Sequence, residues 1–125
     1  MLPAVNRIRL PDEFRSVFRQ GTKAGSRQLV VHCLQTPDVA HAPRVGFVVS
    51  KALGNAVVRN RVKRRLRDLM RARLPHLGGG LHLVIRALPA AAEADSATLG
   101  RSLDSALRRL GVLEKPEVPG EDAAR

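Results

Sequence analysis

The apolar positions along this chain alternate between a helical period and a strand period, and each switch marks a new element. Between Pro11 and Gln20, Phe14, Val17 and Phe18 stand at i, i+3 and i+4, one face of a helix that Pro11 opens and Gly21 stops. Residues 29 to 35 and 44 to 51 are rich in valine and separated by Thr36-Pro37-Asp38 and Ala42-Pro43, which predicts two antiparallel strands joined by a loop. In the first strand, alternation puts Val30, His32 and Leu34 on one face. The period then turns helical: Val58, Val62, Leu66, Leu69 and Met70 fall in a sector of about 120°, the width of a helix lying on a core. Asn55, behind Gly54, is placed to cap that helix, and Pro75 with Gly78-Gly79-Gly80 ends it near Leu74. Residues 81 to 87 predict a third strand, reached from the second through a helix long enough for a parallel crossover, so the sheet is mixed. A last helix spans about Ser96 to Leu110, with Leu99, Leu103, Ala106, Leu107 and Leu110 at helical spacing and Gly111 as its stop. The segment through Arg9 reads as extended. Residues 1–112 read as a single domain, and the polar, proline-broken segment 113–125 as a disordered tail.

The polar side of the middle helix is almost wholly cationic. Arg59, Lys63, Arg67 and Arg71 follow one another at i, i+4 spacing, and Arg61 and Arg64 widen the arc. Between Arg59 and Arg73 there are eight basic residues and one acid, Asp68. A solvated helix alternates signs so that i, i+4 pairs support it, whereas like charges at that spacing cost a few tenths of a kcal/mol each. A helix carrying this cost is suited to displacing counterions from a polyanion. The whole chain agrees, since 22 Lys and Arg against 11 Asp and Glu give a formal charge of +11 over 125 residues. Nucleic acid is the partner this predicts. A membrane surface fits poorly, because lipid-binding basic helices carry large anchors and the chain has neither Trp nor Tyr. No apolar run approaches the ~20 residues of a membrane span, and Arg7 and Arg9 without a long apolar block do not read as a secretory signal. A cytoplasmic protein is expected.

Catalytic chemistry of the chain's own is not legible. A two-metal nuclease needs converging carboxylates, yet Asp12 and Glu13 open the first helix, Asp38 lies in a loop, and Glu93 and Asp95 precede the last helix. His32, His41, His76 and His82 have no ligand-like spacing, and there is no phosphate-loop or Ser/His/Asp pattern. Cys33 reads as a buried strand thiol. No catalytic or metal-ligating residue is therefore assigned, and any catalysis must come from a partner.

Val48-Val49-Ser50-Lys51, followed by Gly54-Asn55-Ala56-Val57-Val58-Arg59-Asn60-Arg61-Val62-Lys63-Arg64, closely resembles the signature of the bacterial ribonuclease P protein subunit. The resemblance continues through Asn6-Arg7, Glu13-Phe14, Val17-Phe18, Gly21, Arg44-Val45-Gly46-Phe47 and the closing leucine helix. It implies an α+β fold, an α/β two-layer sandwich of the ribosomal protein S5 domain 2-like kind, in the order α-β-β-α-β-α. A left-handed β-α-β crossover is implied too, an exception to the usual right-handed rule. It further implies a monomer in a 1:1 holoenzyme with a catalytic RNA, which with Mg²⁺ and no organic cofactor removes the 5′ leader of precursor tRNA. RNA contact would then fall to Lys51, Asn55, Arg59, Asn60, Arg61, Lys63, Arg64, Arg67 and Arg71. Phe14, Phe18, Val30 and His32 would line a cleft for the single-stranded leader, whose unpaired bases can stack on flat side chains. Two positions depart from the family's habit: His32 stands where an aromatic residue, often tyrosine, is common, and Ala52 where a lysine often follows.

Two other readings compete on charge alone. A non-enzymatic or ribosome-associated RNA-binding protein would account for the cations but not for the ordered Phe14/Phe18, Gly54-Asn55 and Arg59-Asn60-Arg61 constellation. A duplex-DNA reader would place the basic helix in a major groove and usually pairs it with another helix across a short turn; here a strand precedes it.

Overall fold

In the computed structural model, which describes residues 2, 4–8 and 11–113, the chain runs through α1 (Pro11–Gln20), β1 (Thr22–Gly25), β2 (Leu29–Gln35), β3 (Arg44–Val48), α2 (Ala56–Arg73), β4 (Leu81–Ala87) and α3 (Ser96–Arg109). Short 3₁₀ turns at Lys51–Leu53 and Pro89–Ala92 lead into α2 and α3. The helices and both long strands stand where hydrophobic periodicity predicts them. Asn55 caps α2 by accepting a hydrogen bond from the Val58 N–H at 3.0 Å, and Asp95 caps α3 by accepting from Thr98 at 2.8 Å. Gly111, at φ +76°, turns the chain out of α3.

The sheet has the order β1-β2-β4-β3. β2 pairs antiparallel with β1 and β4, and β3 runs parallel to β4, so α2 makes the expected parallel crossover. The two valine-rich strands run in opposite directions but are not neighbours, because β4 lies between them. Leu83, Val84 and Ile85 are each 0% exposed, and a strand buried on both faces belongs in the sheet interior. β1 is an additional edge strand. Its residues Thr22-Lys23-Ala24-Gly25 carry no apolar alternation, and pairing with β2 makes the strand. β3 ends at Val48, and Lys51 opens the following turn rather than extending the strand.

α2 and α3 cover one face. Val62, Leu66 and Met70 of α2 join Leu99, Leu103, Ala106 and Leu107 of α3 over Leu29, Val31, Cys33, Val45, Leu83 and Ile85. Each of these large side chains contributes about 1.5–3 kcal/mol by leaving water. α1 covers part of the other face, where Val17 packs with Ile8 and Val84 beside Phe14, Leu34 and Val48. Past α3 the backbone N–H groups of Val112 and Leu113 donate to the Leu107 carbonyl, and both side chains pack on the core. The fold therefore includes Leu113, which the sequence pattern assigns to the tail. The rest of that tail, 114–125, and Arg9 lie outside the described residues. No helix among the described residues is long and apolar enough to cross a membrane.

Gly46 on β3 sets how close α1 can come. A Cβ there would sit 2.5 Å from the Phe14 Cζ, so the missing side chain makes room for the ring. Nearby, Arg44 and Glu13 join β3 to α1 through a 2.9 Å ion pair, mostly shielded from water. Gly46→Ala should lower the unfolding free energy by about 1–3 kcal/mol through overpacking. Measured by denaturant melts, its effect should be less than additive with that of Phe14→Ala, because removing the ring removes the clash.

Candidate nucleic-acid interface

The cations of α2 fall into two groups. Arg61 donates to the Ala92 carbonyl at 3.1 Å and Arg65 to the Ala94 carbonyl at 2.7 Å, which ties the helix to the segment entering α3. Arg73 grips Asp104 of α3 with two hydrogen bonds of 2.6 and 3.0 Å. These three side chains reach inward along the helix flank that packs on α3, and they act as fasteners. The side chains of Arg59, Lys63, Arg64 and Arg67 make no ion pair or hydrogen bond with any described residue. Asn60, Lys63 and Arg64 are exposed, and Arg59 and Arg67 half-buried. Asp68, the one acid among these bases, meets Arg71 at 3.2 Å and i, i+3 spacing. Both partners are about half exposed, so the pair is screened by solvent and weak.

The second surface lies on the opposite side of the sheet. Phe18, 43% exposed, sets its ring edge-on to His32 with centroids 4.6 Å apart. His32 is itself buried, and its Nε2 has no hydrogen-bond partner. Burial, and after it the nearby Arg86 and Lys23 charges, hold the imidazole below its ordinary pKa, so the neutral ring is favoured. Val30 is half-buried one step along the same face. The predicted alternation of Val30, His32 and Leu34 thus holds, and it places them on the α1 side.

Phe14 connects the two surfaces. With Arg7, Ile8, Gly46, Lys63 and Arg67 it lines a cavity of about 230 Å³ at the β3 edge, where the amino-terminal segment passes beside α2. Arg7 reaches that place through a bridge pairing it with Val45. Of the predicted site residues, the structure brings Phe14, Lys63 and Arg67 together here and Phe18, Val30 and His32 together on the open sheet. Lys51 and Asn55 are exposed on the approach to α2, where the Asn55 carbonyl oxygen is already engaged as the cap. Sequence reasoning missed Lys23 and Arg86 on the cleft face. The signal for Arg86 was present, as a lone charge in the apolar run Leu-His-Leu-Val-Ile-Arg-Ala; Lys23 had none, because β1 was not foreseen.

The family model for Ribonuclease P matches residues 2–111 of the chain. The chain is 56% identical over 115 residues to the ribonuclease P protein component of Beutenbergia cavernae, spanning 92% of this chain and 96% of that protein. It is 51% identical over 117 residues to that of Streptomyces avermitilis, spanning 88% and 95%. Among solved structures, Staphylococcus aureus RNase P protein aligns with a TM-score of 0.78 at 28% identity, covering 87% of this chain and 98% of that one. Thermotoga maritima RNase P protein, solved in complex with 1-(4-fluorophenyl)-2-thiourea, gives 0.72 at 26% identity, covering 86% and 100%.

The split among the α2 arginines is measurable as stability. Arg65→Ala should cost about 1–3 kcal/mol by orphaning a part-buried carbonyl, whereas Arg64→Ala should stay within about 0.5 kcal/mol. A second outcome concerns pH. Because the folded state depresses the His32 pKa below its ordinary 6.5, the unfolded chain takes up the proton first. Stability should fall as pH drops through 6.5 and level off below the folded value. His32→Phe should remove that component from a pH series of thermal melts, leaving the share of His82, which burial also depresses.

Proposed function

The chain belongs to the bacterial ribonuclease P protein family, and from that membership we propose how it serves as the protein component of this ribonucleoprotein enzyme. The unpaired cations of α2, Arg59, Lys63, Arg64 and Arg67, dock on the catalytic RNA with Asn60, while Lys51 and Arg71 extend the contact at either end. Arginine's planar fork suits phosphates and stacked bases, and the Asn60 amide can both donate and accept. The cleft of Phe14, Phe18, Val30 and His32 receives the single-stranded 5′ leader of precursor tRNA, with the exposed Phe18 ring as the stacking platform. The observation that carries this reading is the cavity shared by Phe14, Lys63 and Arg67, because it sets one residue of the leader cleft beside two cations of the RNA-docking helix.

Bond breaking belongs in this reading to the RNA. The residues named on the two surfaces include no carboxylate, and their Arg and Lys charge disfavours a divalent cation, so in this reading the Mg²⁺ ions fall to RNA oxygens. The protein's contribution is to lower repulsion among RNA, substrate and ions and to hold the leader in line. A single protein copy per RNA suffices, acting in the cytoplasm without an organic cofactor. A purely structural RNA-binding role would leave the Phe18–His32 pair without a purpose.

Mixed with its cognate catalytic RNA and a precursor tRNA at low Mg²⁺, the protein should stimulate site-specific 5′ cleavage; lack of stimulation would remove the reading. Arg67→Ala should weaken binding and flatten its salt dependence by about 0.7 log unit per log unit of salt for each single-strand phosphate that the guanidinium neutralises. An unchanged slope would show that Arg67 touches no phosphate.

A further inference from the structure

We propose that Lys23 and Arg86 bind backbone phosphates of the leader on either side of the Phe18–His32 pair, giving the sheet its own phosphate-binding row apart from α2. The proposal rests on the cleft being the leader site and adds residues that the family signature does not contain.

Strand register places them. Residues directly paired across a sheet point to the same face. Lys23 is paired with His32, and His32 with Val84, whose side chain packs beneath α1. Arg86 lies two residues beyond Val84 and opposite Val30, so it also rises from the α1 side. Two strand spacings and one two-residue step separate the Lys23 and Arg86 backbones by about 12 Å, and the aromatic pair lies between them. A strand of RNA stacked on Phe18 would bring its phosphates within reach of both flexible side chains.

The charges on this face are arranged for an anion. α1 covers the end of the sheet holding Leu34, His82 and Arg44, and there Glu13 neutralises Arg44. At the other end Val30, Arg86 and Val48 lie in one row, and Arg86 is the exposed member of an otherwise buried or half-buried β4. Neither the Arg86 nor the Lys23 side chain makes an ion pair or hydrogen bond with a described residue. Their joint field is felt at His32, where both disfavour protonation. A cation on an interior strand normally finds a carboxylate; here two cations and a neutral imidazole share an open face that calls for a negative partner.

The test uses the assembled holoenzyme and two precursor tRNAs, one with a long leader and one with its leader cut to a single nucleotide. Both changed positions are exposed, so the variants should fold. Lys23→Ala and Arg86→Gln should each reduce the long-leader advantage in kcat/KM by up to about fivefold. Each should also flatten the salt dependence for the long-leader substrate by about 0.7 log unit per log unit of salt. Arg86→Lys should retain most of the advantage, and the affinity of the protein for its catalytic RNA should not change. An undiminished long-leader advantage in the double variant Lys23→Ala, Arg86→Gln would overturn the proposal while leaving the cleft reading in place. Weakened assembly with the RNA, equal for both substrates, would overturn it by moving the contact to the catalytic RNA. Absence of any leader-length effect in the unaltered protein would sink the cleft reading itself.

Discussion

Leu83, Val84 and Ile85 are consecutive strand residues whose side chains point to alternate faces, and all three are withdrawn from water. A strand of this kind can be stabilised only in the middle of a sheet that is covered on both sides. α2 and α3 supply one cover and α1 the other, and the two surfaces proposed to meet RNA are the outer side of one cover and the margin of the other. Burial of β4 therefore decides that a basic helix and an aromatic-lined cleft occur on the same small molecule. It also decides their separation, because the thickness of the sheet and the reach of its edge strand β3 lie between them.

The helix proposed to meet RNA must also be held to the protein, and in α2 the same residue type serves both ends. Arg61, Arg65 and Arg73 donate to carbonyls of the segment before α3 and to Asp104. Arg59, Lys63, Arg64 and Arg67 keep their charge free of protein partners among the described residues. The first group is partly shielded, so its hydrogen bonds are worth more than exposed ones. The second has no described protein countercharge, so the small ions that accompany it are exchangeable, as counterion release requires. Aligning the helix rigidly while leaving its outer charge unsatisfied is a consistent arrangement: in the proposed docking, the field that would destabilise an isolated helix supplies the driving force.

Family membership gives this arrangement its setting in a ribonucleoprotein enzyme whose protein component carries positive charge and an RNA partner. The proposed contacts differ in physical character across the molecule. On α2 they are point charges along a rigid rod, suited to a folded RNA of fixed shape. On the sheet they are a flat ring, a neutral imidazole and two cations spaced along an open face, suited to a flexible single strand that can adapt to them. Stacking tolerates any base, and phosphate contacts carry no sequence information. A leader track built from these parts would serve many precursors.

Much of this was legible from local pattern. The cap at Asn55, the apolar stripes of the helices, the ranges of β2 and β4 and the cationic arc of α2 all depend on neighbours within one or two turns, and such information lies in the sequence itself. The same holds for the shared face of Val30, His32 and Leu34, which follows from the period of a strand. What the tertiary structure decided depends on residues far apart in the chain. β1 exists because β2 offers it an unpaired edge, and β4 separates the two valine-rich strands because its burial demands the centre. Which arginines of α2 turn inward is set by where the carbonyls of Ala92 and Ala94 come to rest. Lys23 and Arg86 meet at His32 only through the register of three strands. Periodicity reports which side of an element is apolar, but charges act through space, and their neighbours are known only once the chain has folded.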